Sequence, residues 1–239
     1  MQFDDVWLRY SPGEPWVLGG VTATFGPGEV IVVCGRNGEG KSTMLQAAAG
    51  LLRPARGRIT DRPAVIGWVP DQLPAGQPFT VGEYLTHMGR VRGLRSVPVV
   101  AWAERLHLTQ FLGVRLTALS KGTARKVCLV QGLLAPPDLL ILDEPWDGLD
   151  TQAREEIPAI IAEVAERGGT VLVSDHRGEA VRLPGARGLL IEGGGARFFA
   201  LPGAGGRSVV EVTVAEERLP ETMALLRAAG HHDIQVRAR

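Results

Sequence analysis

Residues 35–42 read Gly35-Arg36-Asn37-Gly38-Glu39-Gly40-Lys41-Ser42, placing three glycines, a lysine and a hydroxyl within eight positions. Glycines at this spacing let successive backbone N–H groups turn toward one anion, because a residue without Cβ takes positive φ freely. Lys41 adds a mobile charge able to reach β and γ phosphates, and Ser42 supplies a hydroxyl to Mg2+. This is the phosphate-cradling P-loop pattern. Gly35, Asn37, Gly38, Gly40, Lys41, Ser42 and Thr43 become the candidate contacts of a nucleoside triphosphate. A second chemical pair, Asp143-Glu144, closes the apolar run Leu139-Leu140-Ile141-Leu142 about 100 residues downstream, the Walker B arrangement. Asp143 would hold Mg2+ through water, while Glu144 is placed to orient and deprotonate a water attacking the γ-phosphate, since phosphoryl transfer needs positioning and charge neutralisation more than covalent chemistry. Alone, an acidic pair after a strand is ordinary solvated charge; behind a P-loop it completes a hydrolytic set.

Such groups must be delivered at the carboxyl ends of strands, where open α/β sheets bind ligands. Four Val/Ile/Leu-rich runs, 30–34, 65–69, 139–142 and 170–174, lack polar alternation and so predict strands of a parallel sheet covered on both faces. Helical patterns over 43–52, 81–92, 99–106, 124–134 and 154–166 alternate with them, giving an α/β core. Residues 77–135 offer three helical patterns in succession without a strand, which reads as a helical insertion. Residues 202–206 resemble a linker, and residues 207–239 read as a strand (209–214), a helix (217–229) ended by Gly230, and a last strand (234–236). His231 and His232 near that end receive no metal assignment.

Composition narrows the function further. The chain has 239 residues, 26 Lys plus Arg against 26 Asp plus Glu, and 45% hydrophobic residues, enough for a substantial core. Balanced charge argues against a protein held mainly by nucleic-acid phosphates, and no nucleic-acid partner is expected. The longest apolar candidate, 129–142, is broken by Gly132, Pro136, Pro137 and Asp138, so no membrane-spanning helix is predicted. The first five residues lack a basic and then apolar stretch, so no secretory signal is read. Cys34 and Cys128 both lie in apolar stretches and read as buried small hydrophobes, which suits a cytoplasmic setting. Of the 26 basic residues just three are lysines: Lys41, Lys121 and Lys126.

Leu119-Ser120-Lys121-Gly122-Thr123 resembles the signature motif of ATP-binding cassette (ABC) proteins, usually Leu-Ser-Gly-Gly-Gln. Ser120 precedes Asp143 by 23 residues, Asp147-Gly148-Leu149-Asp150 looks like the family's D-loop, and Ser174-Asp175-His176 stands where the family carries its switch histidine. Five elements in order and spacing carry the resemblance over about residues 6–198. It implies a P-loop NTPase core with a RecA-like parallel sheet and an antiparallel β subdomain. It also implies an ABC ATPase domain over 1–206 whose α-helical signature subdomain spans about 77–135, with a small extension at 207–239.

The resemblance further implies a division of labour. Two cassettes, identical or related, close head to tail around two ATP molecules, and Ser120 and Gly122 of one contact the γ-phosphate held by the other's P-loop. His176 would hold the attacking water in line, and Asp150 would join the two sites. Tyr10 is the preferred platform for the adenine ring, with Trp16 as the alternative and Trp7 as packing. The signature departs from the family at Lys121 and Thr123, a form resembling the Leu-Ser-Lys-Gly-Met variant of bacterial two-component exporters. At the Q-loop, which senses the metal and the membrane partner, either Asp71 or Gln72 stands for the usual glutamine. Phe79, Tyr84, Leu85, Met88 and Trp102 are expected either to build the subdomain's own core or to dock that partner. The function so implied is an ATPase subunit, peripheral on the cytoplasmic face of the membrane, driving a transmembrane permease on another chain, with export favoured by the signature. The alternative is a soluble non-transport ABC ATPase serving assembly or repair.

Overall fold

β3 (Val30–Cys34), β6 (Leu139–Leu142) and β7 (Thr170–Ser174) are buried on both faces, apart from partial exposure of Cys34. Such strands sit in the middle of a parallel sheet. In the computed structural model, which describes residues 1–73, 76–175, 178–201 and 214–228, they do so. With β5 (Ile66–Val69), β8 (Arg187–Glu192) and β9 (Gly195–Ala200) they form a six-stranded sheet in the order β5-β6-β7-β3-β8-β9. The first five strands in that order are parallel to their neighbours, and β9 returns antiparallel to β8. Val33 pairs with Ser174 and Leu142 with Val173, so β3, β6 and β7 end side by side. The register thus brings the P-loop, Asp143 and Asp175 to one edge.

A separate three-stranded antiparallel sheet, β2-β1-β4, is built from β1 (Gln2–Leu8), β2 (Leu18–Thr24) and β4 (Arg56–Thr60). Together the two sheets and the helices are the α/β P-loop architecture the sequence implies. The side chains of the central sheet alternate between two cores. Val30, Val32, Leu140, Leu142, Val171 and Val173 pack beneath the helices α2 (Val81–Val91), α3 (Val99–Arg105), α4 (Lys121–Leu133) and α5 (Thr151–Glu166). Ile31, Val33, Leu139, Ile141 and Leu172 face α1 (Lys41–Ala48) and the antiparallel sheet.

Caps fix where these helices begin. α2 opens on a capping box in which Thr80 and Glu83 satisfy each other's backbone N–H groups, at 2.8 and 3.3 Å. α4 starts at Lys121, three residues before the expected Ala124, because the Ser120 hydroxyl accepts from the Thr123 N–H at 3.2 Å and caps the helix there. α5 likewise starts at Thr151 rather than Arg154, behind the cap Asp150, and keeps Pro158 in its interior.

Of the two roles expected for Tyr84 and Leu85, both take the first, buried in the helical core. The Tyr84 hydroxyl donates to Gln131 Oε1, joining α2 to α4, and burial pushes its pKa up to about 12. Phe79, Met88 and Trp102 also pack against this core, partly covered. Cys128 is buried, which raises its thiol to about 12 and leaves it a small hydrophobe.

The chain divides into two compact units, Met1–Ala204 and Gly205–Arg239. In the second, α6 (Leu219–Ala228) follows a single 3-10 turn at Glu216–Arg218. Residues 209–213 and 234–236, expected as strands, and His231 and His232 lie outside the described residues.

Candidate nucleotide site

Between β3 and α1 the backbone turns through Gly35, Gly38 and Gly40, with φ of 148°, 85° and 100°. Gly35 is a steric requirement as well: a Cβ there would lie 2.5 Å from the Ile191 carbonyl oxygen. Gly40, in left-handed conformation, precedes the first turn of α1, whose free N–H groups and dipole face the loop. Lys41 is buried, and its Nζ donates to the carbonyls of Gly35 at 2.9 Å and Arg36 at 3.2 Å, spanning the loop. Asn37, Gly38 and Ser42 are exposed. A cleft of about 420 Å³ lined by Cys34, Gly35, Arg36, Asn37, Asp175 and Gly178 opens beside them.

Asp143, at the end of β6, is 4% exposed. Ser174 organises the pair of carboxylate residues, a role the sequence reading leaves to its neighbours. Its Oγ donates to Asp143 Oδ1 at 2.7 Å and accepts from the Glu144 N–H at 2.8 Å. Its place at the carboxyl end of the adjacent strand is the available sequence signal. Glu144 takes φ of 53°, an uncommon left-handed setting for a non-glycine residue, at a cost on the order of 1 kcal/mol that the surrounding bonds sustain. The carbonyls of Asp143 and Glu144 both accept from the Arg125 guanidinium of α4. Asp143 and Ser42 offer hard oxygen donors, and no cluster of three or more His, Cys, Asp or Glu stands among the described residues. A few protein oxygens completed by phosphate and water oxygens suit Mg2+.

Tyr10 is 61% exposed, yet its hydroxyl hydrogen-bonds Thr43 Oγ1 at 2.7 Å, which fixes the ring against the P-loop helix. Trp16 is occupied differently: it meets Trp7 edge to face at 5.4 Å and lies under the guanidinium groups of Arg9 and Arg56, at 4.5 and 5.5 Å. Trp7 in turn donates to Asp5 Oδ1 and packs along Gly19.

The signature and D-loop meet within one subunit. A Cβ on Gly122 would sit 2.5 Å from the Gly148 carbonyl, and the Lys121 stem lies about 3.6 Å from where a Gly148 side chain would start. Lys126 Nζ pairs with Asp150 Oδ2 at 2.6 Å, and that hydrogen bond, with the Ala153 N–H, holds the Asp150 carboxyl below its ordinary range. Asp150 is thus a helix cap and an ion-pair partner of α4. Beyond β5, the Asp71 carboxylate lies 3.7 Å from Arg125 Nη1, and Gln72 is exposed. His176 lies outside the described residues.

A P-loop between strand and helix, with an acidic pair ending a neighbouring parallel strand, defines a P-loop nucleoside triphosphatase. The ABC transporter family model matches residues 18–147, and the chain belongs to that family. The zinc import ATP-binding protein ZnuC of Cereibacter sphaeroides is 35% identical over 173 residues, covering 71% of this chain and 70% of that protein. ZnuC of Paramagnetospirillum magneticum is 37% identical over 175 residues, 71% of this chain and 65% of the relative. An uncharacterised ABC transporter ATP-binding protein of Alkalihalophilus pseudofirmus is 31% identical over 159 residues, 62% of this chain and 60% of the relative. The fold matches the post-hydrolysis dimer of the cassette MJ0796 bound to ADP and Pi, with a TM-score of 0.74, 23% identity, and coverage of 87% of this chain and 99% of that one. An ATP-binding subunit of another ABC transporter gives a TM-score of 0.73 at 24% identity, over 98% of this chain and 95% of that one.

Proposed function

We propose that this chain hydrolyses ATP with Mg2+ as a head-to-tail dimer and drives a transmembrane permease carried on another chain, at the cytoplasmic face of the membrane. The observation that carries the reading is the convergence at the ends of β3, β6 and β7, where Ser174 binds both Asp143 and Glu144 beside the Lys41 loop. In this reading Lys41 and Ser42 take the β and γ phosphates and the ion, Asp143 completes the metal's oxygen set, and Glu144 removes the proton from the attacking water. Ser120 and Gly122 at the amino end of α4 serve the γ-phosphate of the partner cassette, where the helix dipole favours negative charge. A membrane partner fits a chain in which no described helix is long and apolar enough to cross a membrane.

Export is the direction supported by Lys121 in the signature; import is a second reading, favoured by relatives named as zinc import proteins. Purification of the native complex from solubilised membranes tests both. A polytopic partner is expected to accompany the chain. Its absence overturns the transporter reading, and transport by the reconstituted pair decides direction.

Tyr10 is the adenine platform in this reading, since Thr43 fixes its exposed ring while Trp16 is already stacked. Tyr10→Ala is expected to weaken ATP binding at least about fivefold, because base–aromatic stacking contributes roughly 1–3 kcal/mol. Tyr10→Phe, which keeps the ring, stays near wild type. Fluorescent-nucleotide titration reads both, and an unchanged affinity in Tyr10→Ala moves the platform elsewhere.

A further inference from the structure

Arg125 lies on α4 five residues after the cap Ser120, is 3% exposed, and belongs to no motif singled out by sequence. Its Nη1 donates to the Pro70 carbonyl and lies 3.7 Å from Asp71 Oδ1. Its Nη2 donates to the carbonyls of both Asp143 and Glu144. One guanidinium therefore joins three segments: the signature helix, the stretch that follows β5, and the turn that carries the catalytic carboxylates. The Nε–H is buried without a hydrogen-bond partner among the described residues, so the group is held through its two terminal nitrogens. A planar fork can serve acceptors on two sides at once, which a lysine ammonium on a flexible stem does far less well.

We propose that Arg125 is a positioning residue for Glu144, and that through it Asp71 transmits the position of the segment after β5 to the catalytic turn. Glu144 occupies a left-handed backbone conformation, which persists only where its surroundings enforce it. Arg125 grips the carbonyls of Asp143 and Glu144, one on each side of the Glu144 Cα, while Ser174 holds the Glu144 N–H from the adjacent strand. Asp71 orients the guanidinium from the third side. A carboxylate at this place then acts through Arg125 and not as a ligand of the metal. A shift of residues 70–71 would be felt as a shift of the base.

The inference rests on Glu144 being the base, which Glu144→Gln tests separately. Here the full chain is assayed for steady-state ATPase activity, nucleotide affinity and Mg2+ dependence. Arg125→Lys is expected to lower kcat about tenfold while the Kd for a fluorescent ATP analogue stays within twofold. Asp71→Asn, a change at a half-exposed carboxylate that leaves the fold intact, is expected to lower kcat about threefold with KM and the Mg2+ half-saturation unchanged. Asp71→Asn added to Arg125→Lys is expected to produce no further loss, because the carboxylate acts through the guanidinium. Normal kcat in Arg125→Lys, independent multiplying effects in the double variant, or a raised Mg2+ requirement in Asp71→Asn would each overturn the proposal. If Arg125→Lys does not fold, Asp71→Asn decides alone: a kcat loss with an unmoved Mg2+ half-saturation supports the link, and any other result refutes it.

Discussion

Glu144→Gln is expected to bind ATP with wild-type affinity, lose turnover by about 10²- to 10⁴-fold, and accumulate as an ATP-dependent dimer on gel filtration. The range is that of a general base removed from a proton transfer. Glutamine keeps the size of the side chain and leaves the main-chain bonds in place: the residue-144 N–H to Ser174 and the residue-144 carbonyl to Arg125. The substitution therefore alters the chemistry and spares the site's frame. Dimer accumulation follows from the proposed function, in which ATP closes the pair of cassettes and hydrolysis reopens it. Without ATP the same variant should elute as wild type does. Undiminished hydrolysis would show that another group accepts the proton. Turnover lost together with ATP affinity would mean that Glu144 supports the binding cleft itself.

Where the physics is local, the sequence was readable. β3, β6 and β7 fall at the expected residues because each is apolar on both faces, and only a doubly covered parallel sheet satisfies such a run. β4 reads Arg-Gly-Arg-Ile-Thr and β9 begins on Gly195, so neither shows an apolar run; pairing with β1 and β8 makes them strands. α4 begins three residues before its helical pattern does for a related reason. Gly122 looks like a turn residue, but it lies inside the helix, its missing Cβ leaving room for the Gly148 carbonyl. The motif residues were legible through their spacing. Ser174 and Arg125 were not, because their importance lies in which strand ends and carbonyls the fold sets around them. In the sequence Arg125 is one more charge on a helix, and only burial at 3% exposure reveals that it faces inward.

Lys41→Ala is expected to weaken ATP binding about 10- to 100-fold, because a hydrogen bond to a charged group contributes roughly 1.5–3 kcal/mol. The three lysines of this arginine-rich chain explain why the effect should be specific. Lys126 is committed to Asp150 and the Lys121 stem lies along Gly148, whereas Lys41 holds two carbonyls of the loop that would bear the phosphates. These carbonyl bonds are neutral-acceptor contacts that a triphosphate, with far greater negative charge, can outcompete for the same ammonium. An arginine is a poor replacement, since its rigid planar fork does not fit where a compact charge must swing between loop and ligand. Thermal unfolding distinguishes lost binding from a damaged loop. ATP at about 100 times its Kd stabilises the wild type by roughly 2.7 kcal/mol, and a 100-fold weaker variant at the same concentration gains only about 0.4 kcal/mol. The ATP-dependent rise in Tm should therefore shrink in Lys41→Ala, to about half after a roughly 10-fold loss of affinity and to almost nothing after a roughly 100-fold loss, while the Tm without nucleotide falls modestly, as two carbonyls lose a donor. A full ATP-dependent rise in this variant would remove Lys41 from the phosphate site and, with it, the assignment of the loop.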